Sequence, residues 1–98
     1  MTPEKHVQNA IVDYLKTKPG LYLERRNAGG LGYKAGRPDI WFLWKGAHVE
    51  VEVKAPRGSA GSLQLKHEDA LREAGAYYWR GSSADDFIRW FEVLESRL

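Results

Sequence analysis

With 98 residues, the chain has room for one hydrophobic core and no second domain, so residues 1–98 are expected to form a single unit. Hydrophobic residues at 43%, with four Trp, exclude a disordered polymer, and the absence of cysteine excludes disulfide staples, zinc-thiolate sites and thiol nucleophiles. The net charge of +2 is uneven, residues 1–66 carrying +5 and residues 67–98 carrying −3, which leaves the first two thirds suited to a phosphate-bearing partner or simply well solvated.

The first predicted element is a helix. Thr2 stands as its N-cap and Pro3 at its first position, where the missing N–H costs nothing. Val7, Ala10, Ile11, Tyr14 and Leu15 then recur at helical spacing as one buried stripe, and Pro19-Gly20 ends it. Residues 21–26 read as a strand that runs into a glycine-rich loop over residues 27–36. Residues 39–44 and 48–54 read as two strands around a Lys45-Gly46 turn, the second alternating Val49, Val51, Val53 against Glu50, Glu52, Lys54. After a loop over residues 55–61, Ser62 is expected to cap a helix reaching Ala74 and stopping at Gly75. A short aromatic strand over residues 76–80 and a last helix follow. Ser83 with Asp86 marks the start of that helix, and Phe87, Ile88, Trp90, Phe91 and Leu94 form its apolar face. The element order is αβββαβα, an α/β chain with a mixed central sheet flanked by helices. No apolar run approaches the roughly 20 residues that cross a bilayer. The first residues lack a signal-peptide stretch, so a soluble, cytoplasmic protein is expected.

The chemistry sits in the hairpin. Glu50, Glu52 and Lys54 alternate and share one face of their strand. A two-residue turn at Lys45-Gly46 pairs residues whose numbers sum to 91, which sets Asp39 against Glu52. Opposed residues on one face have Cβ atoms about 4.5 to 5.5 Å apart, so two like charges would meet there, and a hard cation such as Mg²⁺ or Mn²⁺ is the usual compensation. Lys54, one alternate position further on, adds a cation for negative charge developing on a phosphate. An ordinary solvated strand face also carries Glu-x-Lys; the opposed Asp39 is what favours a site.

Pro38-Asp39 followed after the hairpin by Glu52-Val53-Lys54 resembles the PD-(D/E)xK nuclease superfamily, whose restriction-endonuclease-like core has the same element order. The fuller string Gly36-Arg37-Pro38-Asp39, then Glu52-Val53-Lys54-Ala55-Pro56 and Gln64, resembles the VRR-NUC branch in its short, stand-alone viral or phage form, over nearly the whole chain. The resemblance implies that Asp39, Glu52 and the backbone carbonyl of Val53 are metal ligands, that Lys54 is the catalytic lysine, and that Gln64 lines the site. It also implies that Glu4 is the acidic residue near the metals. Glu4 lies three residues before Val7 and should face inward; its other reading is a first-turn acid favoured by the helix dipole. Gln64 has the alternative of simply meeting solvent or a free backbone N–H.

The implied activity is Mg²⁺- or Mn²⁺-dependent hydrolysis of DNA phosphodiester bonds, on branched substrates such as Holliday junctions, by a homodimer. The apolar face of the last helix is compatible with such an interface. The alternative from another class is a non-catalytic DNA-binding or assembly module that keeps the fold. Lys34, Arg37 and Arg57 flank the site from two loops and are candidates for phosphate contact, or serve solubility. His6, His48 and His67 show no metal-ligand spacing and read as surface or boundary residues, while Trp41, Trp44, Trp79 and Trp90 read as core or interface anchors.

Overall fold

A computed structural model of the protein describes residues 2–26, 37–56, 58 and 60–98. The predicted loop over residues 27–36, with Lys34, and the candidate Arg57 lie outside the described residues. Helix α1 spans Pro3–Leu15, and the Thr2 hydroxyl accepts a hydrogen bond from the Lys5 N–H at 3.1 Å, satisfying one of the free donors of the first turn. Its buried residues are Ile11, Val12 and Leu15, with Val7 and Tyr14 packed beside them; Ala10, expected in the stripe, is exposed. The helix lies against both the sheet and a second helix, which turns the larger Val12 inward in place of a methyl group.

Strands β1 (Tyr22–Arg25), β2 (Ile40–Trp44) and β3 (Ala47–Val53) form an antiparallel meander. Lys45 (φ 49°) and Gly46 (φ 82°) both adopt positive φ, the two-residue turn whose twist matches that of the strands it joins. The register runs from Trp44↔Ala47 to Ile40↔Val51, the pairing expected from that turn. Helix α2 (Ser62–Glu73) then crosses over to β4 (Tyr77–Gly81), which runs parallel to β3, and helix α3 (Ala84–Arg97) completes the order. The four strands lie in the sequence β1-β2-β3-β4. Ser62 is the first helical residue of α2 and not its cap: Gly61 takes the extended N-cap conformation, and a glycine has no side chain with which to accept a hydrogen bond.

One face of the sheet carries Ile40, Phe42, Trp44, Val49, Val51, Val53 and Trp79, all buried beneath α1 and α3. Phe87 and Phe91 of α3 meet Phe42 and Trp79 ring to ring, and Tyr14 of α1 sets its edge against Phe91 at 5.7 Å. The apolar face of the last helix, read from the sequence as compatible with a dimer interface, is used inside the chain, with Phe87, Phe91 and Leu94 buried and Ile88 and Trp90 packed against them. Trp44 and Trp79 are core residues as expected, and Trp41 is half-buried between Tyr22 and His48 on the other face. Helix α2 lies over that second face beside β4, where Arg72 donates to the Tyr78 carbonyl at 3.1 Å and lies over its ring. No described helix is long and apolar enough to cross a membrane.

Candidate active site

Asp39 stands just before β2, held between the buried Pro38 and a hydrogen bond from the Arg26 N–H to its own carbonyl at 2.7 Å. Its Oδ2 accepts the N–H of Val53 at 3.0 Å, so the carboxylate is anchored to the end of β3 directly beside Glu52. Burial raises the pKa of Asp39, opposed by that N–H, and the charge of Glu4 pushes it the same way. Glu4, half-buried in the first turn of α1, is thus close enough to Asp39 for their charges to interact.

Glu52 is only 3% exposed. Its pKa is pushed up to about 7, first by burial and then by the charge of Asp39, against the opposing pull of Lys54. Its Oε1 accepts from the Gln64 amide Nε2 at 2.9 Å and lies 3.6 Å from Lys54 Nζ. Its Oε2 is buried with no hydrogen-bond partner among the described residues. Gln64 spends its other end equally well: Oε1 accepts from Lys54 Nζ and, at 3.3 Å, from the Gly61 N–H at the start of α2. Carboxylate on one side and ammonium on the other fix the orientation of the amide, since each can meet only one of its ends. Asp39, Glu52, Lys54 and Gln64, expected together from the sequence, are together here. Arg37 is half-buried two residues before Asp39.

The donor set suits a hard divalent cation. An orphaned buried carboxylate oxygen on Glu52 costs free energy unless something binds it, and the charge of a second carboxylate, Asp39, acts on the same group. Among the described residues no three His, Cys, Asp or Glu side chains group closely enough to hold an ion. Two carboxylates with backbone oxygen and water are nonetheless what Mg²⁺ accepts, because it keeps much of its hydration.

No family model matches this sequence, and no curated protein matches it. Among solved structures it is similar to a "VRR_NUC domain", with 23% identity and a TM-score of 0.77, covering 94% of this chain and 97% of that one. It is also similar to a "VRR_NUC domain protein", with 20% identity and a TM-score of 0.76, covering 94% of this chain and 87% of that one. The chain has the VRR-NUC fold. The architecture agrees with this, a mixed four-stranded sheet flanked by helices.

Within the VRR-NUC fold the sequence reading missed one cluster. Glu50, 1% exposed, is the neighbour of Glu52 on the same face and takes two hydrogen bonds from the Arg26 guanidinium, at 2.5 and 3.2 Å. Arg26 also donates to the Pro38 carbonyl at 3.1 Å, and His48 Nε2 completes the set on Glu50. Arg26 thereby fastens the segment leading to Asp39 onto β3. The alternation of β3 placed Glu50 on the right face, but nothing local in the sequence connects it to an arginine 24 positions earlier. Arg26 and Pro38 lie on either side of residues 27–36, too far apart in sequence for local rules to bring them together.

Proposed function

We propose that this chain is a divalent-metal-dependent DNA endonuclease that hydrolyses phosphodiester bonds. The observation that carries the reading is the buried Oε2 of Glu52 beside Asp39, unpartnered among the described residues, with the Lys54 ammonium 3.6 Å from the other oxygen of the same carboxylate. Asp39, Glu52 and the Val53 carbonyl would hold Mg²⁺ or Mn²⁺, with Glu4 close by in α1. Such a cation supplies Lewis acidity toward the phosphate and toward water. Lys54, held by Gln64, presents its positive charge to the negative charge that develops when water attacks phosphorus and the P–O bond to the leaving strand breaks. Gln64 is a positioning residue, since it acts through Lys54 and Glu52. Arg37 would meet a phosphate alongside, as would Lys34 and Arg57.

The similarity to VRR-NUC domains supports a nuclease, and the motif resemblance favours branched DNA cut by a homodimer acting in the cytoplasm of a phage-infected cell. Two symmetric sites would nick two strands of a four-way junction. The test is cleavage of end-labelled four-way junction, flap, linear duplex and single-stranded DNA with Mg²⁺, with Mn²⁺ and with EDTA, beside Asp39→Ala. The expected outcome is metal-dependent cutting, abolished in Asp39→Ala and symmetric on the junction. Undiminished cutting by Asp39→Ala overturns the assignment of the site; binding without cutting of any substrate points to a non-catalytic module.

A further inference from the structure

Beyond Lys54, on the side away from Asp39, the surface forms a cleft of about 300 Å³ lined by Lys54, Pro56, Gly58, Arg80 and Ser82. Arg80 is the register partner of Glu52 across the parallel β3–β4 pair, so it lies one strand over from the candidate site on the same face. Its side chain is 34% exposed and is aimed by Glu68 of α2, whose Oε1 accepts from Arg80 Nη1 at 2.9 Å. Glu68 Oε2 is occupied in turn by Arg72 Nε at 3.0 Å, one turn further along α2. The arginine is thus braced without being used up, because the ion pair takes one of its five N–H donors. A braced guanidinium loses less side-chain entropy on binding, and its planar fork matches the oxygens of a phosphate.

We propose that this cleft binds a phosphate of the DNA backbone next to the one that is cut, with Arg80 as its ligand and Glu68 as the residue that positions Arg80. The inference rests on the nuclease reading and deepens it. Lys54 is shared between the two sites, so the DNA strand runs from the carboxylates across Lys54 toward the end of β4. Among the described residues that line the cleft none is aromatic, so it offers no platform for a stacked base, and its polar walls of Lys54, Arg80 and Ser82 suit an anion such as a phosphodiester group.

The competing explanation is that Arg80 merely pins α2 to β4 through Glu68, and the salt dependence of DNA binding separates the two. Each lost phosphate contact on duplex DNA lowers the slope of log K against log salt by about 0.9 and costs about five- to tenfold in affinity near 0.1 M salt. Binding of labelled duplex to the full chain in EDTA should show that change in Arg80→Gln. The control Arg89→Gln, an exposed arginine paired with Asp86 on α3, should keep the wild-type slope. With metal, Arg80→Gln should raise KM by a similar factor and change kcat by less than about threefold. Glu68→Gln should weaken binding less than Arg80→Gln and add nothing to it in the double variant. Circular dichroism establishes that each variant is folded. If the folded Arg80→Gln keeps the wild-type salt slope and KM while the wild type cuts DNA in an Asp39-dependent way, the phosphate cleft is overturned and the nuclease reading stands. A wild-type chain that neither binds nor cuts DNA overturns both.

Discussion

Glu52 carries the largest electrostatic cost in the candidate site, since its carboxylate is buried, close to another carboxylate and left with one oxygen unpaired among the described residues. Its pKa of about 7 lies above the ordinary 4.5. Between those values the folded chain binds more protons than the unfolded chain, so metal-free protein loses stability as pH rises from about 4.5 through about 7. The loss is complete above that range and amounts to at most about 3 kcal/mol. Asp39, shifted in the same direction, adds to it. Thermal melts in EDTA should therefore show a falling Tm over that interval, and under the proposed function Mg²⁺ or Mn²⁺ should reverse the fall by binding the folded form. Glu52→Gln should flatten the profile and remove the metal effect. A Tm in EDTA that is level or rises between pH 5 and pH 8, in steps of about one unit, would show that Glu52 is compensated by something other than a cation. The anchor of Asp39 on the Val53 N–H adds a requirement that the sequence did not show: an amide at position 39 keeps an acceptor for that N–H, whereas alanine leaves it unpaired.

At the scale of an element, β4 shows how tightly the end of the sheet is packed. A Cβ at Gly81 would stand 2.6 Å from the Trp79 indole, whose ring is buried and set edge-on against Phe87 at 5.3 Å. The indole cannot swing away without disturbing α3. Gly81→Ala should cost about 1 to 3 kcal/mol, as overpacking does in other cores, and denaturant unfolding would measure it. Because the Gly81 carbonyl also accepts the Lys54 N–H at 2.8 Å, the same variant should loosen Lys54. A change in stability under about 0.5 kcal/mol would mean that β4 shifts more freely than its packing implies. Helix α2 is different. None of its residues is fully buried, Leu63 and Leu65 are largely exposed, and its place on the sheet is set by polar contacts through Gln64, Glu68 and Arg72. Its position is therefore tied to the site and the phosphate cleft more than to the core.

For the molecule as a whole, the sheet divides the labour. One face, closed by α1 and α3, makes the core; the other carries the carboxylates, Lys54 and the Arg26–Glu50–His48 cluster. Arg26 ties the end of β1 and the entry to β2 onto β3, so it connects three strands by one side chain. Arg26→Ala should cost about 3 kcal/mol because it leaves a buried carboxylate without its main partner, while Glu50→Gln with Arg26→Met should recover part of that loss. Urea unfolding of the two variants gives the comparison, and equal stability of Arg26→Ala and wild type would refute the clamp.

Much of this was legible in advance. The helix starts at Thr2 and Ser83, the Lys45-Gly46 turn, the register it sets and the face shared by Glu50, Glu52 and Lys54 follow from local rules of capping, turn geometry and alternation. Those rules act between residues a few positions apart, which is why the sequence by itself determined the elements and the hairpin at whose open end Asp39, Glu52 and Lys54 stand, although β2 starts one residue after Asp39 and β3 ends one residue before Lys54. It did not determine that β3 is buried on both faces, that Arg26 meets Glu50, or that Arg80 is braced by Glu68 beside Lys54. Alternation distinguishes one face of a strand from the other but does not say what covers each, and an ion pair between distant positions exists only once the chain has brought them together. The tertiary structure alone decided those contacts, because burial and charge pairing depend on distance in space and not along the chain.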